Sequence, residues 1–337
     1  MMKSGRHILE RVAGAMALAL ALATPLSAAR ADDIDRLQAR FDSTFGTEAR
    51  SPRTYATPLE AQLSALASAE EGRIGVAAID LSSGRSVDVL GNQPFPMAST
   101  SKVAIAATFL EGVDQGRWSL TSEFPLMVPE KSEAFSSPAA PVAPGAYLPA
   151  IELLELMITR SSNTATDALL AVVGGPRAVN DWTRRAGISG FRIDRTIATL
   201  VRDDGAVDPA TTIDLRDSAT PMAMVRLLGG LHEGRWLSPQ SRAVLLGAME
   251  RCVTGKHRIP ALLPGEARVA HKTGSLSNTS SDIGIIEMPD GRAVALAIYV
   301  TGQGGKRERE ARIASIARAL YDGYQTEAAG FRQTASR

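Results

Sequence analysis

The sequence predicts an α/β (α+β) fold in which both ends of the chain form one five-stranded antiparallel sheet with terminal helices, and the middle forms an all-helical domain. Runs typical of strands occur near the two ends, within residues 73–90 and 268–300. Between residues 99 and 263 the apolar residues mostly follow helical spacing, interrupted by loops rich in Pro and Gly. Because the sheet must then combine distant segments, we expect the helical domain to be an insertion.

Each element of the sheet layer has its own signal. The strands are predicted at residues 73–81, 85–90, 268–273, 282–288 and 292–300. A Ser-Gly turn joins the first two strands and Pro-Asp-Gly joins the last two, and both turns are typical of hairpins. Helices are predicted at residues 33–45, 59–69 and 306–324. The last of these has Ile313, Ile316, Leu320 and Tyr324 at helical spacing.

The first 31 residues have the features of a secretory signal peptide: a basic start, an apolar run at residues 12–22 and the small-x-small site Ala29-Arg30-Ala31. The run is too short to span a bilayer. We therefore expect a periplasmic or secreted protein without a membrane anchor. The predicted domains are residues 1–31, signal peptide; 32–58, N-terminal helix and linker; 59–95 with 265–325, sheet domain; 96–264, helical domain; and 326–337, flexible tail.

The net charge and the cysteine content limit the binding partners and cross-links that can be expected. The formal net charge of the 337-residue chain is +1, which gives no reason to expect binding to nucleic acid or to an anionic membrane. Cys252 is the only cysteine, so an intramolecular disulfide is excluded, and we interpret this residue as part of the packed core. We expect a monomer.

Ser99 and Lys102 form the pattern S-x-x-K at the start of an apolar run. A serine hydroxyl is a weak nucleophile until a base is held against it. On a helix that begins at Ser99, an amine three residues later lies on the same face, one turn on. Alone the pattern is weak, because it should occur about once by chance in a chain of this length. A capping serine and a surface lysine would then explain it.

Two further patterns follow in order: Ser161-Ser162-Asn163, which is S-x-N, and Lys272-Thr273-Gly274, which is K-T-G. Each of the three patterns occurs once in the chain. Their order and spacing resemble the penicillin-recognising serine enzymes, namely class A β-lactamases and penicillin-binding proteins. The segments PMASTSK and RSSNTATDALLAVVGGP add to a resemblance that covers about residues 60 to 325. It implies a β-lactamase/transpeptidase-like fold with the active site between the sheet and the helical domain.

The resemblance implies a catalytic role for four residues. Ser99 would be the nucleophile, and Lys102 would take its proton if burial and the nearby Lys272 lower the pKa of Lys102. Ser161 would pass a proton to the leaving nitrogen. The middle residue of this motif is usually Asp in the family and is Ser162 here. We expect altered structural support from this change rather than lost chemistry.

The resemblance also implies substrate-binding residues. Lys272, Thr273 and Ser275 suit a substrate carboxylate, and Gly274 would let the substrate approach closely. The backbone N–H of Ser275 would hold the oxyanion together with the N–H of Ser99. Asn163 would bind the side-chain amide of the substrate, with a helix cap as the alternative interpretation. A β-lactam and a D-alanyl-D-alanine peptide both carry the required carboxylate, so these residues do not distinguish the two.

Other chemistries find no support in the sequence. His271 alternates with Lys272 along a strand and would face its other side, so we interpret it as a packing residue. The chain has no G-x-S-x-G, H-E-x-x-H, P-loop or G-x-G-x-x-G pattern. We therefore expect no metal and no organic cofactor.

One loop departs from the class A pattern. In that family the loop reads roughly R-x-D-R-x-E-x-x-L-N, and its glutamate and asparagine hold and deprotonate the water that releases the acyl group. Here Ile197 takes the position of the glutamate and Val201 that of the asparagine. Neither side chain can accept a proton, so we expect fast acylation and slow deacylation. Arg195 is expected to pair with Asp217 and close the loop.

The same loop is longer than usual and contains three aspartates, any of which is an alternative candidate for the missing base: Asp203, Asp204 and Asp208. Three functions therefore stay open. Overall similarity favours a β-lactamase with atypical deacylation, which is our working interpretation. Ile197 favours a D-alanyl-D-alanine carboxypeptidase or related amidase of peptidoglycan. A non-catalytic penicillin-binding sensor is the third, disfavoured because we find no anchor or signalling domain.

Overall fold

The structure is a computed structural model that describes residues 57–335, with side chains for residues 57–326. The predicted signal peptide at residues 1–31 and the predicted helix at residues 33–45 lie outside the described residues. None of the described helices combines the length and the apolar character needed to cross a membrane.

A five-stranded antiparallel sheet forms from both ends of the chain, which confirms the predicted fold. Its strands are β1 (Arg73–Asp80), β2 (Ser86–Val89), β8 (Arg268–Leu276), β9 (Thr279–Glu287) and β10 (Ala293–Thr301). They are arranged in the order β2-β1-β10-β9-β8. The K-T-G motif therefore lies on the edge strand β8, where Lys272 is paired with Ile283 of β9. An edge strand leaves backbone groups free to pair with another extended chain.

Two terminal helices cover one face of the sheet. They are α1 (Pro58–Leu66) and α9 (Lys306–Ala335). Thr57 caps α1 by accepting a hydrogen bond from the N–H of Glu60 at 3.2 Å. Buried apolar residues of both helices, among them Leu63 and Leu320, form one core with buried residues of the sheet. The helix α9 extends past the predicted end at residue 324, so residues 326–335, predicted as a flexible tail, have helical backbone.

The other face packs against helices from the middle of the chain. The helices of this region are α2 (Lys102–Asp114), α3 (Ala150–Thr159), α4 (Asn163–Val173), α5 (Gly175–Arg185), α6 (Ile197–Arg202), α7 (Pro221–His232) and α8 (Pro239–Glu250), and α7 and α8 lie directly on the sheet. Every residue of α2 from 102 to 110 is buried. The alanines in this stretch let neighbouring elements approach α2 on all sides. The lysine of S-x-x-K therefore lies inside the protein and not on its surface.

A β-hairpin lies in the region predicted to be helical. It consists of β4 (Glu123–Pro129) and β5 (Val142–Pro149), and the Pro-rich sequence of this segment is incompatible with a helix. The connection between the strands rests on α6: the N–H of Ala140 donates to Thr199 Oγ1 at 2.9 Å, and Arg202 donates to the carbonyl of Ser137 at 2.8 Å. The hairpin thus supports the loop that departs from the class A pattern.

Three short strands complete the fold: β3 (Phe95–Pro96), β6 (Phe191–Arg192) and β7 (Ser218–Ala219). They form a small sheet in the order β3-β7-β6. This sheet ties the segment just before Ser99 to both ends of the loop at residues 192–217, so the two parts of the site are positioned together.

The packing of α9 on the sheet gives a stability prediction. Ile316 is fully buried between α9 and the sheet. Ile316→Ala should lower the free energy of unfolding by about 2–5 kcal/mol, because it removes buried methyl groups and leaves a cavity. Urea denaturation followed by circular dichroism measures this loss. Arg307→Ala on the exposed face of the same helix is the control and should stay within about 0.5 kcal/mol. An equal effect of both substitutions would contradict the packing described.

Candidate active site

The predicted nucleophile lies in a 3₁₀ turn, Ala98–Ser101, that leads directly into α2. The sequence predicted Ser99 as the first residue of the helix, whereas the regular helix begins at Lys102. Ala98 has a φ of 49°, a conformation that non-glycine residues rarely adopt. Thr100 fixes the turn by donating its hydroxyl to the carbonyl of Met97 at 2.8 Å. Ser99 itself is partly exposed, and its hydroxyl makes no hydrogen bond to the residues that the structure describes.

The hydroxyl of Ser161 joins the three motifs. Lys102 Nζ lies 3.2 Å from Ser161 Oγ, and Lys272 Nζ lies 3.0 Å from the same oxygen. Ser161 has a φ of 59°, so its backbone is held in a strained conformation that presents the side chain to both lysines. The structure therefore brings together the residues of all three motifs, which are far apart in the sequence.

Asn163 is also part of this cluster. Its Oδ1 accepts a hydrogen bond from Lys102 Nζ at 2.8 Å, and the same amine donates to the carbonyl of Ser161 at 2.8 Å. The alternative interpretation of Asn163 as a helix cap is wrong, because Ser162 caps α4 by accepting from the N–H of Ala165 at 3.3 Å. Ser162 thus has a local structural role.

Both lysines are fully buried, with no exposed surface. Burial, reinforced by the positive charge of Lys272, holds the pKa of Lys102 well below its usual range, and Asp167 opposes the shift. Burial also lowers the pKa of Lys272, to about 8, with Arg258 adding to the effect and two negative groups opposing it. A neutral amine can accept a proton, whereas a charged one attracts an anion. The cluster can therefore provide both a base and a cation.

Gly274 lies against the nucleophile turn. A Cβ at this position would lie 2.6 Å from the carbonyl oxygen of Met97 and 2.4 Å from Ser281 Oγ. The glycine is thus required by the protein's own packing, which brings β8 next to Ser99. The prediction that it makes room for a substrate is a separate matter and remains a proposal.

Arg258 is a site residue that the sequence reasoning missed. It is 2% exposed, and it donates to Ser275 Oγ at 2.6 Å and to the carbonyl of Gly274 at 2.8 Å. Glu310 of α9 forms an ion pair with this guanidinium at 3.1 Å. Thr273, which shares this end of the site, is bonded through its hydroxyl to Thr254 at 2.6 Å. Arg258 lies in none of the sequence motifs, so only the structure shows that it belongs to the site.

The loop between β6 and β7 is closed by the predicted ion pair. Arg195 Nε lies 2.6 Å from Asp217 Oδ2, which confirms the expected pairing. Asp217 Oδ1 also accepts from the backbone N–H of Asp194 at 2.8 Å. One carboxylate therefore holds both the side chain and the backbone of the loop.

Asp167 of α4 supports the start of α6 and was also missed. Its two carboxylate oxygens accept from the N–H groups of Ile197 and Ala198, each at 2.7 Å. Burial raises the pKa of Asp167, although these two hydrogen bonds and the charge of Lys102 oppose the rise. Asp167 follows Asn163 by four residues, and that helical spacing is the signal that could have placed it beside the site.

The loop offers no other carboxylate in the position of the missing glutamate. Ile197 is 4% exposed and Val201 is 51% exposed. The three candidate aspartates are engaged elsewhere. Asp203 pairs with Arg202 at 2.8 Å, Asp204 accepts from the N–H of Ser277 at 2.9 Å and Asp208 accepts from Asn278 at 2.8 Å.

Two predictions about the back of the K-T-G strand need correction. Cys252 is partly exposed and not part of the packed core, because it lies in the turn after α8. His271 is buried as predicted, but it does not serve apolar packing: its Nδ1 lies 3.0 Å from both oxygens of Asp282. A buried ion pair thus stands directly behind Lys272.

Comparisons with known proteins agree with this arrangement. The sequence model of the "Beta-lactamase enzyme family" matches residues 58–324. The chain is 33% identical over 273 residues to β-lactamase CTX-M-8 of Citrobacter amalonaticus, covering 80% of this chain and 90% of that one. Its structure matches an ancestral (GNCA) class A β-lactamase with a TM-score of 0.67 at 34% identity, covering 79% of this chain and 99% of that one.

A second solved structure, that of PBP-A, is similar to this chain to the same degree. The TM-score is 0.68 at 29% identity, covering 82% of this chain and 100% of PBP-A. The family model covers most of the sequence, and these relatives and solved structures each cover about four fifths of it. This chain belongs to the class A β-lactamase family of serine hydrolases.

Proposed function

We propose that this protein opens the amide bond of β-lactams through an acyl-Ser99 intermediate and releases the product slowly. The observation that carries the proposal is the hydroxyl of Ser161 held between two buried lysines beside the Ser99 turn. An arrangement of this kind supplies a base, a proton relay and a cation in one cluster.

Acylation uses this cluster in two proton transfers. The oxygen of Ser99 forms a bond to the β-lactam carbonyl carbon while its proton passes to the neutral amine of Lys102. The C–N bond then breaks, and the proton passes through the hydroxyl of Ser161 to the departing nitrogen. The low pKa of Lys102 supports the first transfer, and its 3.2 Å contact with Ser161 supports the second. Backbone N–H groups of Ser99 and Ser275 would hold the oxyanion.

The edge of β8 would bind the substrate. Lys272, Thr273 and Ser275 would hold its carboxylate, with the charge of Arg258 directly behind Ser275. The free edge of the strand suits an amide backbone, and Gly274 keeps this edge close to Ser99. Asn163, next to the amine of Lys102, would bind the amide of the substrate's side chain.

Release of the acyl group needs a base for the attacking water, and the loop lacks one. Ile197 and Val201 carry no titratable group, and the aspartates of the loop are bound to other partners. Asp167 lies beneath the loop, where both of its oxygens hold backbone N–H groups. These observations support slow deacylation.

A second candidate function is favoured by the same loop. A D-alanyl-D-alanine peptide presents the same carboxylate and amide to Lys272 and Asn163 as a β-lactam does. The missing carboxylate at Ile197 counts against rapid turnover of the β-lactam ester, which leaves the peptide as the second candidate substrate. The fate of the β-lactam adduct separates the two candidates, because even a slow β-lactamase clears it and consumes more than one penicillin per protein, whereas an enzyme specific for the peptide keeps it for hours.

The nucleophile is tested by intact-mass spectrometry. Mixed with a penicillin, the protein should gain the mass of one penicillin within the first samples and lose it slowly, because acylation is supported and deacylation is not. Ser99→Ala is the control and should gain no mass. An adduct present equally in Ser99→Ala would contradict the assignment. An adduct that clears while much penicillin is consumed would point to an efficient β-lactamase, and one that lasts for hours would direct attention to D-alanyl-D-alanine peptides.

The loop is tested by restoring a carboxylate. Ile197→Glu should shorten the lifetime of the acyl adduct by about tenfold or more, since general base catalysis typically contributes about 10²–10⁴. Ile197→Gln, which has nearly the same size but no base, is the matched control and should leave the lifetime unchanged. The decay of the adduct mass after rapid removal of free penicillin measures both. Equal lifetimes in the two variants would contradict the assignment of Ile197 to the position of the missing glutamate.

The pH dependence of acylation tests the coupling of the lysines. Lys102 accepts a proton only when neutral, so the acylation rate should rise with pH through the pKa of Lys102. Lys272→Gln removes a positive neighbour, which raises that pKa and moves the rise to higher pH. Lys272→Arg keeps the charge and should leave the midpoint close to that of the native protein. The acylation rate is measured from the initial burst with a chromogenic cephalosporin, because slow deacylation limits the steady rate, and an unmoved midpoint in Lys272→Gln would refute the coupling.

A further inference from the structure

The distal part of the loop between β6 and β7 is fastened to the turn that follows the K-T-G strand. Both oxygens of Asp204 accept from the N–H of Ser277 at 2.9 Å, and Asp208 Oδ1 accepts from the side-chain amide of Asn278 at 2.8 Å. Both aspartates are exposed, and the proposed mechanism uses neither of them. Their contacts begin two residues beyond Ser275, where the substrate would pair with β8.

The register of the β8–β9 hairpin shows which backbone groups of β8 face its free edge. Gly274 is paired with Ser281. Arg258 Nη1 donates to the carbonyls of both residues, at 2.8 and 2.7 Å, so these two carbonyls point into the space between the strands. Because successive residues of an antiparallel strand alternate in direction, the N–H groups of Ser275 and Ser277 point the other way, to the free edge.

A substrate chain on this edge would meet the two N–H groups in turn. Its carboxylate end would lie at Lys272, so the chain would run antiparallel to β8. In an antiparallel pair, the residues that exchange backbone hydrogen bonds with one partner strand are two positions apart. With the scissile carbonyl held by the N–H of Ser275, the carbonyl two residues before it would come opposite the N–H of Ser277. Asp204 already occupies that N–H, so the free edge ends after Ser275.

The turn at residues 277–278 is held in place by other contacts as well. Arg309 of α9 is 8% exposed, and it donates to Asn278 Oδ1 and to Ser280 Oγ, each at 3.3 Å. The base of the loop is closed separately, by the ion pair of Arg195 and Asp217. Removal of the Asp204 carboxylate should therefore uncover the N–H of Ser277 and leave β8 and its turn where they are.

We propose that Asp204 is a specificity-determining residue: by occupying the N–H of Ser277, it limits recognition on β8 to acyl donors that pair through a single amide. A β-lactam with one side-chain amide loses nothing, because that amide pairs at Ser275. A longer, peptide-like acyl group gains no further hydrogen bond from β8, because its next carbonyl finds no free donor there. This inference rests on the proposed function and narrows its substrate class to short acyl donors.

The proposal is tested with two penicillins that differ in the number of side-chain amides. Benzylpenicillin has one, and ampicillin acetylated on its amino group has a second carbonyl at the position opposite Ser277. Intact-mass spectrometry gives the second-order rate of Ser99 acylation for each, and the ratio of the two rates cancels effects common to both. Asp204→Ala uncovers the N–H of Ser277, so it should raise the rate with the two-amide penicillin relative to benzylpenicillin by about two- to tenfold, the effect of one added hydrogen bond.

Two further variants distinguish this effect from a loosened loop. Asp204→Asn keeps an acceptor oxygen for the N–H of Ser277 and should keep the native ratio. Asp208→Ala releases the other contact of the loop with the turn, at Asn278, but leaves Ser277 covered, so it should keep the native ratio as well. An unchanged ratio in Asp204→Ala, or an equal rise in Asp208→Ala, would overturn the role of Asp204. Absence of any adduct between the native protein and benzylpenicillin is a different result, which would overturn the proposed function and this inference with it.

Discussion

The site depends on the burial of two lysine amines around a single serine hydroxyl. Taking an ammonium group out of water costs several kcal/mol even after the protein relaxes, so each amine must become neutral or find close acceptors. Lys102 has three acceptors, among them Asn163 Oδ1 at 2.8 Å, and Lys272 has the carbonyl of Thr273 at 2.9 Å. Both also need the hydroxyl of Ser161, which only the strained backbone of this residue presents to them. The conformation of the α3–α4 connection therefore provides both buried amines with a hydrogen-bond acceptor.

Two buried carboxylates influence the pKa values of the two amines, one carboxylate for each amine. Asp167 acts on Lys102 and Asp282 acts on Lys272, in both cases raising the pKa of the lysine. The two lysines nevertheless differ, because Lys272 retains a pKa of about 8 while that of Lys102 lies well below its usual range. The first is suited to remain a cation for part of the neutral range, and the second to act as a base. The proximity of one positive charge helps to keep the other amine neutral.

Much of this arrangement could be predicted from the sequence, since short motifs constrain local geometry and strand patterns constrain the sheet. S-x-x-K and K-T-G identified the two lysines, and strand-like runs, two pairs of them joined by hairpin turns, identified all five strands. Arg258 and Asp167 could not be found in this way, because their partners are distant in sequence: Arg258 contacts Ser275 and Glu310, and Asp167 contacts Ile197. The β4–β5 hairpin was missed because its prolines break every periodic pattern. Cys252 was misjudged because its position in the turn after α8 depends on where that helix ends.

The substituted loop shows how a carboxylate can be present without being a base. Asp167 uses both oxygens to hold the N–H groups of Ile197 and Ala198 at 2.7 Å, where α6 begins. A negative charge at a helix N-terminus is stabilising, and two charge-assisted hydrogen bonds commit the carboxylate to that role. Arg195 and Asp217 close the other end of the loop at 2.6 Å. The loop therefore keeps a fixed backbone although Ile197 leaves it without a group that could activate water. Its order and its catalytic competence are separate properties, carried by different residues.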